Sequence, residues 1–165
     1  MSDPARPGSF DAMVGTLDYP MFIVTARAEG ELGGCLVGFA SQASIEPSLF
    51  LVCLSIRNRT YRLARQAERV AVHFVPAHAD PLAQLFGGRT GDDVDKFASC
   101  DWEEGPHGLP ILAECENWFV GRVLERTPLG DHVGFLLEPE VTHHGSAGRQ
   151  FTFHRAKRIE AGHEA

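Results

Sequence analysis

From Pro20 to Ile56 the chain passes through short apolar stretches separated by glycines, acids and turn formers, a spacing that suits strands better than helices. PMFIVTARAEGELGG predicts a strand, a tight turn at Glu29-Gly30-Glu31, and the start of a second strand, GGCLVGFASQASIEP (33–47), so that the two form a hairpin. SLFLVCLSI (48–56) is almost unbroken in apolar residues and short enough to be a third strand. The period then changes. In TYRLARQAERV, Tyr61, Leu63, Ala64 and Ala67 recur at roughly helical spacing, with Asn58 or Thr60 available as N-cap. RVAVHFV (69–75) predicts another strand. DPLAQLFGG predicts a helix with Asp80 as N-cap, Pro81 in its first turn and Gly87 beyond its end.

A further helical turn is expected to start at Asp92 or Asp93, whereas CDWEEGPHGLP reads as loop because Gly105, Gly108 and Pro110 break any period. ENWFVGRVLER, a turn at Pro128-Leu129-Gly130-Asp131, and HVGFLLEPEV make a second hairpin. FTFHRAKRI (151–159) predicts a last strand, with Phe151 and Phe153 on one face and Thr152 and His154 on the other. Six or seven strands with a few short helices indicate a mainly β barrel, and the lack of alternating βαβ units argues against a doubly wound nucleotide fold. A chain of 165 residues is expected to form one domain, with residues 1–15 and 160–165 as flexible tails.

Composition narrows the setting. A hydrophobic fraction of 44% and a charged fraction of 22% are those of a soluble globular protein, and no apolar run approaches the ~20 residues of a membrane span. The polar start MSDPARPGSFD lacks the pattern of a secretion signal, so the cytoplasm is the expected compartment. A net charge of −7 would repel a phosphate backbone, which makes nucleic acid an unsuitable partner. Cys35, Cys53, Cys100 and Cys115 form no CxxC pair or zinc spacing, and Cys35 and Cys53 sit within apolar strand patterns as core filler.

Several segments carry candidate chemistry. Gly33, Gly34 and Gly38 do not form a GxGxxG loop; they fit either strand bends or the close approach of a flat ligand to the backbone. Arg57-Asn58-Arg59-Thr60 offers two guanidinium groups, an amide and a hydroxyl at a helix start, a combination suited to a phosphate. The alternative is that Asn58 and Thr60 only cap the helix while the arginines are solvated. Asp131-His132 is a candidate acid/base pair, although Gly-Asp also suits a hairpin turn for conformational reasons alone. His143-His144 are adjacent, and His73 and His154 are distant from them, so no metal site is expected. No GxSxG nucleophile signature is present.

Taken in order, GCLVGFASQASIEPSLFLVCLSIRNRT, LAQLFGGRTGDDVDKFA, LGDHVGFLLEPEV and FTFHRAKR resemble the flavin reductase-like family of FMN-binding split barrels. The resemblance implies a mainly β fold, a six-stranded antiparallel split β-barrel with a Greek-key element and a few short helices. It also implies a homodimer with FMN, or occasionally FAD, near the subunit interface. By the same resemblance Leu36, Val37, Gly38 and Phe39 line the flavin ring, and Ser41, Gln42, Ala43 and Ser44 approach its edge and the ribityl phosphate. Asn58, Arg59 and Thr60 match the phosphate-binding turn, and Lys96-Phe97 a Lys-Phe element. His132 matches the histidine of a Gly-Asp-His motif on the nicotinamide side, and His154-Arg155 match a terminal His-Arg segment.

The chain departs from the family at Leu36 and Gly38, where members commonly carry threonine and a serine or asparagine, and at Ile56 and Asn58 in the phosphate turn. The implied activity is NADH- or NADPH-dependent reduction of flavin, with His132 as the residue that orients the nicotinamide and a separate monooxygenase as consumer of reduced flavin. Two alternatives remain open beside this: a flavin-binding protein without efficient nicotinamide oxidation, consistent with the departures at Leu36 and Gly38, and, as the resemblance to related split barrels implies, a barrel holding another flat cofactor such as haem, with His154 or His73 as ligand.

Overall fold

The computed structural model describes residues 8–88, 94–146 and 148–159. In chain order it contains helix α1 (Phe10–Val14), strands β1 (Phe22–Ala28), β2 (Glu31–Val37), β3 (Ala40–Ser44) and β4 (Leu49–Ser55), helix α2 (Arg59–Ala64), strand β5 (Arg69–Phe74) and helix α3 (Asp80–Gly87). A 3-10 turn at Lys96–Ser99 leads to β6 (Trp102–Glu104), a second one at Pro106–Gly108 leads to β7 (Pro110–Leu112), and the long strands β8 (Trp118–Leu129) and β9 (His132–His143) precede helix α4 (Phe153–Ala156). Among the described residues no helix is long and apolar enough to cross a membrane.

The two expected hairpins form. Glu29 and Gly30 both adopt positive φ, 52° and 80°, the twist that a two-residue hairpin turn requires, and Ala28 pairs with Glu31. At the second hairpin Gly130 has φ 71°, and Leu129 pairs with His132. Seven strands make one antiparallel sheet in the order β2-β1-β5-β8-β9-β4-β3, and β6-β7 form a small second sheet. The main sheet curls so that its two flanks share one interior: Cys35 and Val37 of β2 pack in the same cluster as Val52 and Leu54 of β4, with Phe22, Val72 and Phe135 between them. β1 is buried on both faces. Phe22 and Val24 enter the interior, while Ile23 packs outward against Leu82, Phe86 and Phe151. That double burial explains the near-continuous apolar run of FIV in place of a strict alternation.

Four elements differ from the sequence reading. The long strand expected over 33–47 breaks at Gly38-Phe39 into β2 and β3, which lie on opposite flanks of the sheet. CDWEEGPHGLP, expected as loop, forms β6 and β7, because Leu109 and Ile111 cover Ala71 and Val120 on the barrel's outer face. The N-cap of α3 is Ala79, without a side-chain hydrogen bond, and Asp80 lies inside the first turn, paired with Arg155 at 2.5 Å. The last strand is replaced by α4. Strand-like pairing survives only as two isolated bridges, Gln150 with Pro76 and Thr152 with Pro20; Phe151 between them accepts from Met21 N–H at 2.9 Å and donates to Val75 C=O at 2.8 Å, after which the chain turns so that Phe153 stacks on Tyr19 at 4.6 Å. Of the expected tails, residues 1–7 and 160–165 lie outside the described residues, as do Asp92 and Asp93.

Candidate functional site

The small residues of β2 answer to protein, not to open space. A Cβ at Gly33 would stand 2.7 Å from Leu63 of α2, and one at Gly34 would stand 2.6 Å from Phe86 of α3. At Gly38 it would meet Tyr19 at 2.8 Å and the Met21 sulfur at 3.1 Å. The glycines therefore let two helices and the chain ahead of β1 close onto the strand. The reading in which they make room for a flat ligand gives way, for these three side-chain directions, to close packing.

Beside this packed strand lies a cavity of about 320 Å³ where the ends of β2 and β4, the start of β9, and α4 meet. It brings together Leu36, Val37, Gly38, Phe39, Asn58 and His132. These residues are separated by up to about 96 positions in sequence, and β9 carries His132 to its place by pairing it with Ser55 of β4. Its walls are chiefly apolar, with Ser55, Asn58, His132 and Lys157 as polar points. A volume of this size with few, convergent polar groups is typical of small-molecule sites.

His132 is half-buried and its Nδ1 lies 2.7 Å from Asp131 Oδ1. A carboxylate only accepts, so Nδ1 carries the proton and, in the neutral ring, Nε2 is left as an acceptor. The same contact, with the nearby Arg57, holds the Asp131 carboxyl below its ordinary range; the hydrogen bond to His132 is the larger cause. Phe39 is 56% exposed and its ring centroid is 5.1 Å from that of His132. Together they form one rim of the cavity.

The expected phosphate turn is largely committed to structure. Asn58 Oδ1 accepts from Thr60 N–H at 2.8 Å and so caps α2. Arg59 donates to Leu32 C=O at 2.7 Å and to Glu31 Oε2 at 3.0 Å, and Thr60 is buried. Lys96, also buried, donates to Gly34 C=O at 3.0 Å and Phe86 C=O at 3.1 Å, which ties the 3-10 turn to both β2 and α3. Burial lowers its ammonium pKa. Between these groups runs a second cleft of about 390 Å³, lined by Arg59, Thr60, Lys96 and Phe97. Cys35, a core residue, lines the first cavity instead, its thiol pushed up to about 11, chiefly by burial. The phosphate-turn residues and the ring-lining residues thus face two neighbouring openings, with Asn58 on the first.

Other expected residues lie apart. Ser41, Gln42, Ala43 and Ser44 occupy the edge strand β3 and line neither opening; Ser41 Oγ and Gln42 Nε2 bond to backbone carbonyls of their own strand. His154 is exposed, its backbone N–H held by Asp18 Oδ1 at 2.9 Å, while its neighbours Phe153, Ala156 and Lys157 line the cavity. His73 is fully buried with both ring nitrogens engaged, Nδ1–H donating to Ile23 C=O at 3.0 Å and Nε2 accepting from Leu112 N–H at 3.1 Å. It has no lone pair for a haem iron. Tyr19, Met21, Ser55 and Lys157 were missed by sequence reasoning; only the amphipathic pairing of Phe151 and Phe153 hinted that the C-terminal segment returns to the barrel. A further cleft, about 880 Å³ between α3 and Ser99-Cys100-Asp101, contains none of the candidate residues.

Residues 14–160 match the family model described as "Flavin reductase like domain". Over 132 residues the chain is 30% identical to the protein named FMN reductase (NADH) RutF of Bradyrhizobium diazoefficiens, covering 80% of this chain and 72% of that one. Over 129 residues it is 30% identical to the stachydrine N-demethylase reductase subunit Stc3 of Rhizobium meliloti, covering 76% of this chain but only 54% of the relative. Among solved structures, the NADH:FAD oxidoreductase SgcE6 of Streptomyces globisporus superposes with a TM-score of 0.81 at 22% identity, over 93% of this chain and 91% of that one, which shows a shared fold.

Proposed function

Because the chain belongs to the flavin reductase-like domain family, we propose that it is an NADH-dependent flavin reductase that holds FMN in the 320 Å³ cavity at the ends of β2 and β4. The observation that carries this reading is the convergence, in one cavity, of apolar walls from β2 and α4 with the half-buried His132 and the capping Asn58. The residues present fit such a group. Leu36, Val37 and Phe153 offer flat apolar surface to a ring, and Ser55, Asn58 and the Lys157 ammonium offer donors to an anionic tail. Leu36 cannot hydrogen-bond through its side chain, which packs on Gly87, so polar contacts to a ring fall to the backbone of β2 and to His132. When bound, FMN supplies a ring that takes two electrons and a proton from NADH.

The chain's own part is placement. His132, fixed by Asp131, presents Nε2 as an acceptor to the carboxamide N–H of the nicotinamide, and Phe39 supplies an apolar wall beside it. The rim is apolar on the outside as well. Phe39, Ile56 and Leu129 are 56%, 46% and 48% exposed; Leu129 pairs with His132, and Ile56 N–H donates to Asp131 C=O. Such a surface around a cavity mouth supports a homodimer in which a second copy covers it. A relative named as the reductase subunit of an N-demethylase supports delivery of reduced flavin to a separate oxygenase, and the four scattered free cysteines suit the cytoplasm.

The test is to add FMN to the purified protein and follow NADH consumption in air. Oxidation well above the rate with free FMN is expected; a rate equal to that of free flavin overturns the proposal.

A further inference from the structure

Four polar side chains that line the candidate flavin cavity are already engaged with the protein. Ser55 Oγ accepts from Arg57 N–H at 3.3 Å and Asn58 Oδ1 from Thr60 N–H at 2.8 Å, while His132 Nδ1–H donates to Asp131 and the Lys157 ammonium to Gly15 C=O. Tyr19 lines the same cavity, and its hydroxyl makes no hydrogen bond to any described residue.

The Tyr19 ring is held in place. Phe153 N–H donates to Tyr19 C=O at 2.9 Å, and on either side Asp18 Oδ1 accepts from His154 N–H at 2.9 Å and Pro20 pairs with Thr152. The ring stacks on that of Phe153, with centroids 4.6 Å apart and planes inclined by 15°. So held, it lies across the end of β2. Its Cε2, the carbon next to the one that carries the hydroxyl, stands 2.8 Å from where a Cβ on Gly38 would be. Burial, with the Asp18 carboxylate nearby, raises the phenol above its ordinary 10.0, so at neutral pH it keeps its proton and can donate.

The wall it crosses has few side-chain donors of its own. Leu36 packs on Gly87, Val37 is apolar and buried, and Gly38 has no side chain. We propose that Tyr19 is a flavin-binding residue, its hydroxyl donating to a carbonyl oxygen of the isoalloxazine ring at the end of β2, where Gly38 leaves the space for it. The assignment rests on FMN occupying this cavity. It adds a third polar contact to those from the β2 backbone and His132. Because the stack on Phe153 fixes the tyrosine beforehand, little side-chain freedom remains to be lost when the flavin binds. Gly38 and Tyr19 then act as a pair, one small so that the other can reach the ring.

Riboflavin and FMN share the ring and differ in the phosphate, so titrating both, followed by flavin fluorescence, separates a ring contact from a tail contact. Tyr19→Phe keeps the stack and removes only the hydroxyl; it should weaken both flavins by the same factor, about tenfold. Tyr19→Ala should weaken them at least as much and also opens the space beside Gly38. In that background Gly38→Ser, which brings a hydroxyl to the same place, should recover about fivefold or more of the affinity, whereas Gly38→Ala should not. The proposal is overturned if Tyr19→Phe binds both flavins as tightly as the native chain, if it weakens FMN but not riboflavin, or if Gly38→Ala recovers as much as Gly38→Ser. A native chain that binds neither flavin overturns the flavin reading itself, an outcome seen before any variant is made.

Discussion

At the scale of single residues, Gly34 and His132 illustrate two kinds of constraint. Gly34 is small because Phe86 occupies the space a side chain would take, with 2.6 Å between the Phe86 ring and the position of a Cβ. Gly34→Ala should therefore lower stability by about 1–3 kcal/mol in urea unfolding, and the added Phe86→Leu substitution should recover part of that loss by opening the contact. An undamaged Gly34→Ala protein would contradict the packing account. The constraint proposed for His132 is functional instead. His132→Ala should raise the Michaelis constant for NADH about tenfold, the value of one hydrogen bond of about 1.4 kcal/mol, while FMN affinity changes by less than about twofold. Steady-state kinetics beside an FMN titration separates the two effects, and a changed FMN affinity with unchanged NADH kinetics would remove the role assigned to it.

At the scale of elements, the candidate site depends on pieces that make little sense alone. The 3-10 turn at Lys96–Ser99 is held by one buried ammonium that reaches two carbonyls, one on β2 and one on α3. Lys96→Met keeps the apolar stem but leaves both carbonyls unmet, so a loss of about 1–3 kcal/mol is expected. Hydrogen exchange should show faster opening of α3 amides than of β8 or β9 amides, because the bond to Phe86 C=O anchors that helix. Equal acceleration throughout the sheet would mean that the lysine supports the whole fold and not this junction. The hairpins were legible because turn chemistry and strand period agree locally at Glu29-Gly30 and Gly130-Asp131. The C-terminal helix was not, since Phe151 and Phe153 show a strand's alternation and only contact with Met21, Val75 and Tyr19 decides where the strand-like pairing stops.

At the scale of the whole molecule, His73 couples the small β6-β7 sheet to the barrel and makes stability depend on pH. Burial pushes its pKa down to about 4 from an ordinary 6.5, so the folded chain keeps it neutral while the unfolded chain binds a proton as pH falls below 6.5. Stability from this group is thus fully present above pH 6.5 and is lost progressively down to about 4, amounting to about 2 kcal/mol by pH 5. The carboxylates with lowered values, among them Asp18 and Glu140, act only below their own unfolded range, at more acid pH. Urea unfolding at pH 7 and pH 5 should show this drop in the native chain and a much smaller one in His73→Gln; equal drops would place the sensitivity elsewhere.

The amino-acid sequence by itself determined the periods of the strands in both hairpins, the two hairpin turns, the helix after Asn58 and the identity of the segments that resemble flavin reductases, because each of these is written in neighbouring residues; that Asn58 and not Thr60 caps the helix is seen only in the structure. Only the tertiary structure decided how β2 and β3 part at Gly38-Phe39, which side of β2 its glycines face, and that Leu36, Asn58 and His132 share a cavity while Ser41, Gln42, Ala43 and Ser44 lie on an outer edge. The reason is physical. A local pattern tells which residues prefer burial, but which partner buries them depends on how the curled sheet brings β9 against β4 and α4 against β2, and that arrangement is set by contacts between residues far apart along the chain.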